Sequence, residues 1–166
     1  MKVTGSLRIV IAALAALPVA AAAQQPDAIM VAGETLVATL HAQGAQVYEC
    51  KADASGALAW QFREPIATLL SNGKTLGRHY AGPTWELADG SAVVGKVAAS
   101  APGASQSDIP LLKLAAVSQT GSGMLAGINS IQRLNTKGGV AKGPCDAAGA
   151  FLSVPYSADY AFYKKS

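Results

Sequence analysis

Residues 66–80 read IATLLSNGKTLGRHY, and the centre of this stretch decides the fold. Asn72-Gly73 lies between two apolar-rich runs, which is the strongest short hairpin signal in the chain: both central residues of a tight type I′ turn need positive φ, and Asn and Gly tolerate it. Residues 66–70 are then one strand and residues 76–80 its return partner. The same grammar continues outward. Asp89-Gly90 is a second tight turn, Ala54-Ser55-Gly56 turns residues 46–50 back into residues 57–63, and Gly121-Ser122-Gly123 and Gly138-Gly139 break the C-terminal half. Between these breaks the apolar residues alternate or run continuously over short distances, as half-buried or central strands do.

Taken in order, residues 34–42 alternate, with Leu36, Ala38, Leu40 and Ala42 on one side, and Gly44 is expected to end that strand. Pro65 is expected to interrupt the chain between residues 57–63 and 66–70. Residues 92–99 form a Val-rich strand, and residues 100–108 (SAPGASQSD) form the longest surface loop. Residues 109–118 read as a central strand. Residues 128–136 form another, with Ile131 and Arg133 turned to the face opposite their neighbours, and residues 154–164 carry an aromatic cluster. About eight to ten short strands at such spacing predict an all-β antiparallel sandwich or closed barrel. Residues 34–166 are expected to be a single domain, with residues 24–33 a flexible lead-in.

The first 23 residues have a different character. Lys2 and Arg8 precede an apolar run over residues 9–17, Pro18 breaks it, and Ala21-Ala22-Ala23 follows. A short basic region, a short apolar core and a small-residue cleavage site are the three marks of a secretory signal peptide. The core is shorter than the about 20 residues a membrane span needs, so a retained anchor is the lesser reading. Removing the segment takes two basic residues from a chain of formal charge +3 and leaves +1. With charge near zero and no basic run, neither nucleic acid nor an anionic membrane surface is an expected partner. The product is expected to be soluble and exported, periplasmic or extracellular.

The two cysteines, Cys50 and Cys145, most simply pair in an oxidising compartment. A metal pair or a catalytic thiol is less well supported, because neither cysteine has a partner at CxxC spacing or a histidine neighbour in sequence.

The densest chemistry lies in residues 77–91, GRHYAGPTWELADGS. His79, Glu86 and Asp89 are the catalytic candidates. Two carboxylates flanking a sugar, with a histidine nearby, would suit glycoside-type hydrolysis. Each also has a structural duty, and that duty is the preferred reading: Asp89-Gly90 suits a turn, Glu86 faces Arg78 across a hairpin, and His79 hydrogen-bonds a loop carbonyl. Tyr80, Trp85, Tyr156 and Tyr160 are the ligand-binding candidates, amphipathic rings on which a glycan or another small molecule would stack. No histidine pair or HExxH spacing marks a metal site, and no motif implies a cofactor. A non-enzymatic binding or surface-interaction module is the leading expectation; a hydrolase and a purely structural secreted protein are the alternatives. The oligomeric state is left open.

HYAGPTWELADGS, IPLLKL, SIQRLNTKGGVA, PCDA and VPYSADYAFYK occur in this order. In this the chain resembles the small secreted bacterial and fungal proteins grouped as domain of unknown function 3455, over about residues 42–164. The resemblance implies an exported domain and carries over no catalytic residue. At Leu111 the chain departs from the tryptophan expected of the family.

Overall fold

The structure, a computed structural model, describes Met1 and residues 25–165. Apart from Met1, the expected signal peptide lies outside the described residues. Eight strands follow one another: β1 (Glu34–Ala52), β2 (Leu58–Ser71), β3 (Lys74–Tyr80), β4 (Thr84–Leu87), β5 (Ala92–Ala101), β6 (Leu111–Thr120), β7 (Ser130–Gly138) and β8 (Phe151–Lys165). Each pairs antiparallel with its sequence neighbours. β8 returns to β1, from Glu34 against Lys165 to Glu49 against Phe151, and closes the sheet into an up-and-down barrel. Of the two expected architectures, the barrel is the one formed, although its ladders do not run the full length of every strand: β3 pairs with β2 only over Ala67–Ser71, which leaves the first half of β2 paired to β1 alone.

The turn chemistry acts as its residues require. Asn72 and Gly73 take φ of 48° and 74° between β2 and β3. Alternation selects the inward face: Tyr156, Ala158, Tyr160 and Phe162 of β8 are all buried, as are Leu40 and Ala42 of β1.

Two expected breaks are strand interior instead. β1 runs unbroken through Gly44, because a Cβ there would overlap the Ile66 carbonyl and Ala67 of β2; the glycine permits close strand approach rather than a stop. β2 likewise runs through Pro65, which sits opposite Gln46 beside the bulge at Val47/Tyr48, a place where a strand tolerates a missing N–H.

Up-and-down topology sorts the connections onto two ends. The β2–β3, β4–β5 and β6–β7 connections share one end, where Leu125 and Ile128 of the β6–β7 loop are fully buried and fill the barrel together with Leu40, Leu69, Val93 and Phe162. The other end carries the β1–β2, β3–β4, β5–β6 and β7–β8 connections. There the Cys50–Cys145 disulfide, with Cα atoms 5.8 Å apart, ties β1 to the β7–β8 loop. Before β1, a 3-10 turn (Asp27–Ile29) packs on β5 and β6 with Ile29 fully buried, and the Ile29 carbonyl accepts a hydrogen bond from Gln132 Nε2. Residues 25–33 thus hold more contacts than their composition announces. Among the described residues, no helix is long and apolar enough to cross a membrane.

Candidate functional site

The barrel is hollow at the end that carries the β3–β4 and β5–β6 loops. A cavity of about 510 Å³ opens there, within the range typical of small-molecule sites. Its inner wall is aromatic. His79 stacks on Trp85 with ring centroids 4.5 Å apart and 10° between planes, and Tyr160 meets both, at 4.8 Å and 5.1 Å. Leu112, Leu114, Ile109 and Pro110 supply aliphatic wall, and Phe62 and Val97 stand at the rim, 54% and 51% exposed.

Backbone geometry sets these groups. His79 and Trp85 face each other in the β3–β4 register, so both rings point inward side by side. Gly95 of β5 lies beneath them, where a Cβ would press on the Trp85 ring and on Leu114. At the rim, Asp108 accepts hydrogen bonds from Gly138 N–H (2.6 Å) and Ser105 Oγ (2.9 Å), which fixes the loop that presents Ile109 and Pro110. Those bonds, Gly138 first, hold the Asp108 carboxyl below its ordinary range. Tyr48, another wall residue, donates to the Gly139 carbonyl at 2.7 Å.

His79 is 2% exposed, and its Nδ1 lies 2.8 Å from the Thr84 carbonyl. A carbonyl only accepts, so Nδ1 carries the proton and Nε2 is the ring's acceptor. Burial pushes the imidazole down to about 4; the Thr84 bond works against that shift, and the Arg133 charge adds to it. At neutral pH His79 is an uncharged, hydrogen-bonded member of an aromatic stack.

Polar atoms on the wall are conspicuously unsatisfied. Gln46 Nε2, Trp85 Nε1 and Tyr160 Oη are buried and close no hydrogen bond within the protein, nor does Tyr156 Oη just behind the wall. The two tyrosine hydroxyls lie near each other, with Gln46 beside Tyr156 and Arg133 beside Tyr160. Burial raises both tyrosine pKa values, and the Arg133 charge opposes the rise. These atoms border an open cavity and are placed to hydrogen-bond to whatever enters it.

The catalytic candidates do not converge. His79 faces the cavity. Glu86, next to inward Trp85 on β4, faces outward, where its carboxylate accepts from Arg78 Nη2 (2.9 Å) and Tyr80 Oη (2.7 Å). Those bonds, Tyr80 first, lower the Glu86 pKa. Asp89 is in the β4–β5 turn at the closed end, accepting from Ser91 N–H and Met124 N–H (both 2.8 Å) and Ser91 Oγ (2.6 Å). Met124 contributes most to its lowered pKa. Among the described residues, no Asp or Glu lines the cavity, and no three His, Cys, Asp or Glu side chains are grouped to hold a metal ion.

The ligand-binding candidates divide too. Trp85 and Tyr160 are cavity wall and Tyr156 backs it. Tyr80 is outside, its ring capped by the Arg78 guanidinium at 4.9 Å, and its hydroxyl is held protonated by Glu86. Sequence reasoning missed Gln46, Tyr48, Leu112 and Arg133 as wall residues. The signal for Arg133 was there, since it shares the Ile131 face and that face is inward.

A closed eight-stranded meander, packed at one end and hollow at the other, belongs to the class of up-and-down β-barrels. Within that class, the family model described as "Protein of unknown function (DUF3455)" matches residues 31–164, and the chain belongs to this family. No curated protein and no solved structure matches it.

Proposed function

We propose that this protein is a non-enzymatic binding module that holds one small, largely apolar molecule inside the barrel. The observation that carries the reading is the aromatic-walled cavity, with the polar side chains of Gln46, Trp85 and Tyr160 on its wall. A ligand there would bury an apolar body against Trp85, Tyr160 and Leu114 and hydrogen-bond to those polar groups. The long disulfide loop supports an oxidising, exported setting. A surface platform for glycans is less well supported, because only Tyr80 of the four aromatic candidates is outside and Arg78 covers it. Hydrolysis lacks an acid on the wall.

A thermal-shift screen of aromatic and aliphatic small molecules tests this. A ligand at 100 times its Kd stabilises by about 2.7 kcal/mol, which should raise Tm by roughly 5–10 °C. The shift should vanish in Leu112→Trp, which fills the cavity. Hits that shift the variant equally would place binding elsewhere and overturn the reading.

A further inference from the structure

The unpaired groups on the cavity wall are nearly all donors. Trp85 offers an indole N–H, Gln46 an amide NH₂ and Tyr160 a hydroxyl that both donates and accepts, and His79, with its proton on Nδ1, presents Nε2 as an acceptor. Arg133 is the wall's inner cation. Its Nε donates to the Pro110 carbonyl at 2.9 Å, and among the described residues no carboxylate pairs with its guanidinium. The contrast with Arg63 at the rim is informative: Arg63 reaches Glu64 at 3.2 Å and Glu49 at 3.7 Å, so its charge is already answered. Arg133 is half-buried, beside the Tyr160 hydroxyl, in a wall without an acid.

A half-buried guanidinium on a cavity wall that holds no acid is placed to receive an anion. We infer that the cavity takes a monocarboxylate with an apolar body, its carboxylate on Arg133 and the neighbouring donors, its body against Trp85 and Leu114. The inference rests on the cavity being a ligand site. A guanidinium presents a planar fork that matches a carboxylate with two parallel bonds. One unpaired cation answers one negative charge, so a dianionic phosphate ester would bring excess charge into the same apolar wall. A neutral molecule would leave Arg133 unanswered.

The test compares matched probes on the full mature chain by calorimetry: 2-naphthoate against 2-naphthamide, and decanoate against decanol. The acid of at least one pair should bind at least about tenfold tighter than its neutral partner, the smallest difference a charge-assisted bond provides. Arg133→Met should abolish that preference and leave the neutral partner's affinity in place, and Arg133→Lys should keep part of it. Equal binding of acid and neutral partner by the unsubstituted protein overturns the inference, whatever the variants do, and leaves the cavity reading standing. A preference that survives in Arg133→Met also overturns it. If no probe of either kind binds, the inference and the cavity reading fall together.

Discussion

His79 carries two readings from sequence, proton transfer beside Glu86 and Asp89 or a hydrogen bond to a loop carbonyl, and the Thr84 bond is the second. Beside Glu86 and Asp89 it looked like a proton-transfer group, yet strand alternation sends it inward and Glu86 outward, and alternation is blind to sequence proximity. Its burial has a measurable consequence. The folded chain holds His79 at about 4 while the unfolded chain has an ordinary histidine near 6.5. Between these values the unfolded state binds the extra proton, so stability is full above about 6.5, falls as pH drops through the window, and has lost about 3 kcal/mol near pH 4. Urea unfolding at stepped pH should show this slope, and His79→Gln should flatten it; an equal slope in the variant would contradict the burial argument. Glu86 makes the opposite case. Its bonds to Arg78 and Tyr80 are on the outer surface, so Glu86→Gln should leave ligand affinity in the cavity within about twofold, because surface ion pairs contribute little. A tenfold loss would return the site to the outer face. Asp89 has a third role, holding the β4–β5 turn to the β6–β7 loop through Met124 N–H. Asp89→Ala should cost about 1–2 kcal/mol in chemical denaturation and leave affinity unaltered.

At the scale of elements, turns and alternation were legible and continuity was not. Asn72-Gly73 and the alternation of β8 announced themselves because a turn and a half-buried strand each impose a local residue requirement. Gly44 and Pro65 misled because their meaning is set by a neighbouring strand: the first makes room for the Ile66 carbonyl, the second lies beside a bulge. Splitting β1 at Gly44 also hid Gln46, which continues the inward series of Leu40 and Ala42. Arg133 was seen to share a face with Ile131, but whether that face looked in or out depends on barrel closure, which no local pattern encodes. The disulfide is an element-scale tie that pairing logic did anticipate. It spans 95 residues and holds the β7–β8 loop against β1, so chain entropy assigns it roughly 4–5 kcal/mol. Reduction should lower Tm by roughly 10 °C; an unchanged melt after full reduction would show that the loop is held by its backbone bonds alone, Cys50 N–H to the Ala150 carbonyl (2.8 Å) and Gly149 N–H to the Cys50 carbonyl (2.9 Å).

For the molecule as a whole, closure turns eight ordinary strands into a container. One end is packed with Leu125, Ile128, Leu40 and Phe162, and the other is left open above His79, Trp85 and Tyr160. A barrel under selection for stability alone would fill that space with aliphatic side chains and pair its polar groups. This one keeps a hollow lined by aromatic and polar side chains. The central claim is that the hollow is the site, and a fluorescence titration with 1-anilinonaphthalene-8-sulfonate tests it most directly. The folded, disulfide-bonded chain should bind the dye saturably at one site, with enhanced dye emission and quenched tryptophan emission. Leu112→Trp at the wall and Val97→Trp at the rim, each confirmed folded by its melt, should weaken binding at least about tenfold, as steric filling of a preformed cavity requires. Unsaturable binding, or equal affinity in both variants, would contradict the account.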